Sequence, residues 1–334
     1  MKPILNSKYS LAGASLALAT ILGGCVAVEG TEAAEAAPTE EAVEVADAVE
    51  EAEAVVEETQ AVVEDAVMDV KEMTAEAKLA AVLAAQPEEV QARYGARNPA
   101  ETMAFFGIEP GMTVAEALPG GGWYSKILLA YLGEEGTLIG AHYPDELWAS
   151  FGFGDEWTAT RVEGTANWPN QAAEWGVEGA AIASTFLTAM PEAASDQVDA
   201  VLFIRALHNL NRFTTDETPY MGDTLSETFR VLKPGGIAGV VQHQGPETNS
   251  DEWANGSNGY LKQSAVIAAF EAAGFEYVGS SDVNANAADV PSEDEFVWRL
   301  PPSRSGTEEG SPERAAYEAI GESNRMTLKF RKPA

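Results

Sequence analysis

Few side chains in this 334-residue sequence can carry chemistry. There are three histidines, His142, His208 and His243, and a single cysteine, Cys25. Histidine titrates nearest neutral pH, so His208 and His243 are candidate general bases for a substrate hydroxyl or another nucleophile. The alternative is that both make structural hydrogen bonds only. No close-spaced pair of ligands supports a metal site, and none is expected. The other carrier is a turn, Pro119-Gly120-Gly121-Gly122, with Glu116 before it and Trp123 and Tyr124 after it. Glycines allow a tight turn and let the backbone approach a ligand closely. Glu116 either meets that ligand or anchors the turn.

These residues need a scaffold, and the hydrophobic pattern supplies one. Met112 to Leu118 reads as a buried strand and Trp123 to Leu132 as a helix. Further strands are expected at Thr137 to Ala141, Ala180 to Ser184, Val198 to Ile204, Gly236 to Gln242, Phe275 to Gly279 and Met326 to Phe330. Helices are expected at Leu225 to Leu232 and Leu261 to Ala273. Strands joined by helical crossovers imply a parallel sheet with both faces covered. Ahead of them, Asn98-Pro99-Ala100-Glu101 predicts a helix start, with Asn98 capping, Pro99 in the first turn and Glu101 reaching back. Residues 281–324 are polar and rich in Gly, Pro and Ser, a long excursion that suits a lid or substrate loop.

The spacing around the turn resembles that of class I S-adenosylmethionine (SAM)-dependent methyltransferases. In them the first strand ends in an acid, with glycines two, four and six residues on. Here Glu116 is the acid, Gly120 and Gly122 hold the later positions, and Leu118 replaces the first glycine. A dinucleotide fingerprint fits less well, because Ser125 stands where its third glycine belongs. Arg230-Val231-Leu232-Lys233-Pro234-Gly235-Gly236 resembles the helix-turn-strand that follows the active-site strand in this family. Asp199 to Leu210 resembles its fourth strand and following loop, and Asn324 to Pro333 its closing strand. Residues 92–333 together resemble a bacterial group of predicted methyltransferases with a Pro-Gly-Gly-Gly-aromatic cofactor loop. That group also has the Gly259 to Lys262 and Trp298 to Pro302 stretches. The resemblance implies an α/β fold, a Rossmann-like, seven-stranded, mostly parallel sheet with helices on both faces. It implies SAM as cofactor, bound by Glu116, Pro119, Gly120, Gly121, Gly122, Trp123, Tyr124, His142, Arg205 and Asn209. His142 occupies the place of the acid that usually grips the ribose, and Asp145 or Glu146 are substitutes for it. His208 and Asn209 would lie beside the methyl group, and His243, at the end of the fifth strand, points to the same carboxyl edge of the sheet.

Charge and the first residues bound location and partners. The net charge is -33. With nine Lys and eleven Arg showing no basic cluster, nucleic acid is not expected as a partner. The leading expectation is a small acceptor, uncharged or cationic. Residues 1–24 read as a signal peptide: Lys2 and Lys8, then an apolar run from Leu11 to Leu22, then Gly23-Gly24. Leu22-Gly23-Gly24-Cys25 resembles a bacterial lipobox, which would lipidate Cys25. The chain would then sit in the bacterial cell envelope, at the outer membrane facing the periplasm. Residues 25–75 form an acidic spacer, in which sixteen acids face one base, Lys71. Val49, Val56, Val63 and Val70 recur every seven residues, which reads as a solvated tether or a self-associating stalk. Residues 76–334 are the methyltransferase-like domain. The alternative to an enzyme is a ligand-binding lipoprotein that retains the fold without catalysis.

Overall fold

A computed structural model describes residues 74–334, together with Val56. The chain divides into two units, Met1–Asp69 and Val70–Ala334, and the second carries the fold. The signal peptide, Cys25 and nearly all of the heptad spacer lie outside the described residues. Among those described, no helix is long and apolar enough to cross a membrane.

Helices α1 (Ala75–Ala84), α2 (Glu88–Gln91), α3 (Tyr94–Arg97) and α4 (Pro99–Phe106) lead into strand β1 (Thr113–Ala117). Then come α5 (Trp123–Leu132), β2 (Thr137–His142), α6 (Asp145–Ala149), α7 (Asp155–Ala166), α8 (Trp168–Glu174) and β3 (Ala181–Phe186). β4 (Val198–Ile204), α9 (Leu207–Phe213), α10 (Tyr220–Val231) and β5 (Leu232–His243) follow. The chain closes with α11 (Gln263–Ala272), β6 (Glu276–Ser281), α12 (Pro312–Ile320) and β7 (Arg325–Arg331). The strands form one seven-stranded sheet in the order β3-β2-β1-β4-β5-β7-β6. Strands β1 to β5 pair in parallel, and β7 runs antiparallel to both β5 and β6. This is the Rossmann-like architecture of class I methyltransferases that the sequence led us to expect.

Strand periodicity sorts the core into two layers. Val114, Leu138, Ala200 and Leu202 face α4 and α5, where Met103, Phe106, Ile127 and Leu128 are fully buried. Ala115, Ala117, Val201 and Phe203 face the other side, packing with Leu225 of α10 and Phe270 of α11. Phe270 stacks on Phe330 of β7 with centroids 4.2 Å apart. Chain order reverses direction between β1 and β4, and open α/β sheets bind ligands at the carboxyl edge of such a point.

Several local expectations are corrected. Asn98 precedes α4, but its side chain does not cap the helix. It adopts a left-handed φ of 39° and donates Nδ2 to the Val283 carbonyl, 2.7 Å away. Glu101 is exposed, and no reciprocal bond forms. The Lys233-Pro234-Gly235-Gly236 turn lies inside β5. Val198 pairs with Leu232 and Ala200 with Ile237, so the turn loops out of the ladder between them. Gly236 must lack a side chain there, because a Cβ would meet the Lys233 carbonyl oxygen at 2.8 Å. The crossover from β2 to β3 holds three helices that the hydrophobic pattern did not reveal. Residues 282–324 form a strap containing a short 3-10 turn (Val297–Arg299) and α12. Within the strap Arg299 donates Nη2 to Asp289 Oδ1 at 3.0 Å, and Tyr260 ties the strap to the domain by donating to Asp289 Oδ2 at 2.9 Å and accepting from Arg299 Nη1 at 2.9 Å.

Candidate functional site

The turn after β1 closes tightly, with the Gly122 amide donating to the Pro119 carbonyl at 2.9 Å. Leu118, Gly120 and Gly122 have φ of 51°, 54° and 74°. Leu118 thus adopts the left-handed conformation that a glycine would provide without strain, so the missing first glycine leaves the loop geometry in place. Gly120 and Gly121 are exposed and line a cavity of about 500 Å³. That volume is in the range of small-molecule sites. Gly122 faces elsewhere. It begins α5, and a Cβ on it would lie 2.2 Å from the Trp175 ring.

Glu116 is buried, and its carboxylate Oε2 accepts from Ser125 Oγ at 2.5 Å. Burial pushes its carboxyl up to about 8, against the opposing pull of the Ser125 bond and of Arg205. It ties the end of β1 to α5 and lines neither of the cavities at this edge. Ser125, which breaks the dinucleotide pattern, is its partner. Tyr124 is buried and donates its hydroxyl to the Arg97 carbonyl at 3.1 Å. Trp123 carries the Arg97 guanidinium over its ring at 4.5 Å. Pro119 is buried beneath the turn. Pro119, Trp123 and Tyr124 shape the cavity's surroundings and do not line it.

His142 ends β2 and lines the cavity with Trp148 and Trp168. It is 4% exposed, its Nε2 has no hydrogen-bond partner among the described residues, and burial holds it down at about 4. Asp145 and Glu146 are outside the lining, while Glu163 of α7 is inside it. Glu163 was missed in the sequence because α7 has no apolar stripe to mark it as a helix; Asn167 and Gln171, at and within the following α8, also line the cavity. Gly140 sits under the Trp168 ring, where a Cβ would come within 2.6 Å.

On the other side of β1, the ends of β4 and β5 meet the strap. A second cavity of about 100 Å³ is lined by Arg205, His243, Trp298, Glu322 and Ser323 among others. The His208 and His243 rings are 5.7 Å apart. His243 Nδ1 shares a 2.6 Å hydrogen bond with Ser323 Oγ, and His208 Nδ1 lies 3.4 Å from Gln242 Nε2. Burial lowers His208 to about 4, and burial followed by His208 lowers His243 well below its ordinary value. Asn209 is buried on α9, its Oδ1 has no hydrogen-bond partner among the described residues, and it lines neither cavity. The structure therefore gathers Gly120, Gly121 and His142 in one cavity and Arg205 and His243 in another. Among the described residues, no group of His, Cys, Asp and Glu side chains is placed to hold a metal ion.

No protein-family model and no curated protein matches the chain. Solved structures do. A SAM-dependent methyltransferase from Aquifex aeolicus is 14% identical with a TM-score of 0.43, covering 74% of this chain and 98% of its own. Geranyl diphosphate methyltransferase in complex with SAM is 15% identical with a TM-score of 0.44, covering 71% of this chain and 85% of its own. The cyclase SpnF is 18% identical with a TM-score of 0.45, covering 71% and 80% respectively. These are similarities of fold.

Proposed function

We propose that this chain is a SAM-dependent methyltransferase that acts on a small-molecule acceptor by direct methyl transfer. One observation carries the proposal: two cavities, of about 500 and 100 Å³, flank the β1 and β4 ends on one sheet edge. A group transfer between two small molecules needs two such compartments. The larger one suits a nucleoside. Gly120 and Gly121 leave the backbone bare, Trp148 and Trp168 offer aromatic surface, and the Glu163 carboxylate can accept from two hydroxyls. The unpartnered Nε2 of buried His142 can take one more hydrogen bond.

SAM bound there supplies a methyl group activated on a sulfonium. The protein's own residues have to align the nucleophile and exclude water. The strap covers the smaller compartment, and its Val297, Leu300 and Trp298 side chains make that wall apolar. His243, which lines that compartment, is kept neutral at pH 7 by burial and by the neighbouring His208, and can accept a hydrogen bond from a nucleophile. A group with so low a pKa is a weak base, so His243 positions the acceptor more than it deprotonates it, with the His208 ring beside it. We extend the proposal to location: a lipid on Cys25 holds the domain at a membrane surface of the cell envelope, behind the 25–75 spacer.

Calorimetric titration of the full chain with SAM, S-adenosylhomocysteine and NAD tests the function. SAM and its product should bind, and NAD should not. If neither SAM nor S-adenosylhomocysteine binds at millimolar concentration, the fold serves another ligand.

A further inference from the structure

Four arginines, Arg93, Arg97, Arg205 and Arg325, gather near one carboxylate, Glu322. Their donors are used unevenly. Arg93 pairs with Glu322 Oε1 through two nitrogens. Arg325 donates to the Ser323 and Ala96 carbonyls and, at 3.3 Å, to Glu322 Oε2. Arg97 is 3% exposed, comes no nearer than 3.6 Å to Glu322, and its Nε has no hydrogen-bond partner among the described residues. The Arg205 guanidinium has no hydrogen-bond or ion-pair partner among the described residues, and it lines the small cavity beside Glu322, His243 and Ser323. Arg205 also stands at φ 60°, a left-handed conformation that a non-glycine residue holds at a cost and that recurs at ligand sites. Among the described residues, Glu322 is the carboxylate that forms ion pairs with this cluster. Each guanidinium presents five donors in a planar fork that matches a carboxylate.

We infer that Arg205 forms a carboxylate-binding subsite under the strap, on the β4 side of the glycine turn, with the buried Arg97 adding positive charge behind it. The apolar strap residues Val297, Trp298 and Leu300 beside it suit the organic body of a small carboxylic acid. An acceptor that brings the carboxylate would differ from the uncharged or cationic one expected from the sequence. Two ligands could bring the group: an acceptor that is a carboxylic acid, or the amino-acid end of SAM. Only the second source rests on the methyltransferase reading.

Calorimetry on the full chain and its Arg205→Gln variant separates them. S-adenosylhomocysteine and 5′-methylthioadenosine share a nucleoside thioether, but only the first has an amino-acid end. If the cofactor supplies the carboxylate, Arg205→Gln weakens S-adenosylhomocysteine tenfold or more and leaves methylthioadenosine within twofold. If the acceptor supplies it, both nucleosides bind the variant normally, while millimolar binding of benzoate, the probe acid, is lost. Arg205→Lys keeps the charge without the fork and should recover only part of the lost binding; it also serves should Arg205→Gln fail to fold. The subsite is overturned if neither variant changes the binding of S-adenosylhomocysteine or of benzoate. Should no nucleoside bind even the unmodified chain, the methyltransferase reading falls and the benzoate arm still decides the subsite.

Discussion

At Glu116 a carboxyl group lies inside a helix-covered face of the sheet, with Ser125 Oγ as its hydrogen-bond donor. Desolvation outweighs that bond, so the folded protein keeps the proton to about pH 8, whereas the unfolded chain loses it near 4.5. Between those values the folded state binds a proton that the unfolded state does not. Stability therefore falls as pH rises through this window and is lowest above it. Glu116→Gln keeps the shape and removes the ionisation. The variant should exceed the parent in stability at about pH 8.5 by on the order of a few kcal/mol, and the gap should close toward pH 4.5. Urea unfolding midpoints across that range measure it, and a gap that does not grow with pH would rule out the buried neutral acid. His142 and His208, both held at about 4, act with the opposite sign between 4 and 6.5, because there the unfolded chain binds the protons. Comparing variant with parent cancels their contribution.

The glycine turn and α5 work as one element, and adjacent glycines in it have different duties. A side chain at Gly121 meets nothing within 4 Å, and its φ is not in the left-handed region. Gly121→Asp should therefore leave the melting temperature nearly unchanged while placing an anionic side chain at the cavity that abolishes S-adenosylhomocysteine binding. Binding that survives the change would move the ligand away from the turn. Gly122 has φ 74° and the Trp175 ring where a Cβ would go. Gly122→Ala should cost about 2–3 kcal/mol of stability in denaturant unfolding, from strain and overpacking together. The turn, its strand and its helix were legible in the sequence because glycines, apolar runs and caps are local signals. The α5 bounds, Trp123–Leu132, match the expectation residue for residue. The α7 helix was not legible: Asp155–Ala166 buries only Thr165, so no periodic apolar face marks it.

For the molecule as a whole, the proposed lipid on Cys25 would decide where the site works. If Cys25 carries the lipid that the Leu22-Gly23-Gly24-Cys25 motif predicts, cells fed labelled palmitate should transfer label to the parent chain and not to Cys25→Ser. Label on both, or on neither, removes the lipobox reading. Anchoring would set which acceptors reach the strap, and it would make the supply of SAM outside the cytoplasm a condition of activity.

The sequence by itself determined the alternation of strands and helices, the turn chemistry at Gly120–Gly122 and Lys233–Gly236, and the family resemblance built on their spacing. Each depends on residues a few positions apart. Only the tertiary structure decided that Ser125 is the partner of Glu116, that Trp168 and Glu163 wall the larger cavity, and that Arg97 and Arg205 meet near Glu322. Arg97 precedes α4, Arg205 follows β4, and Glu322 lies at the end of the strap, more than a hundred residues from either. No spacing rule links positions so far apart. Burial, which sets the charge states of Glu116 and the histidines, exists only once the two helix layers close over the sheet.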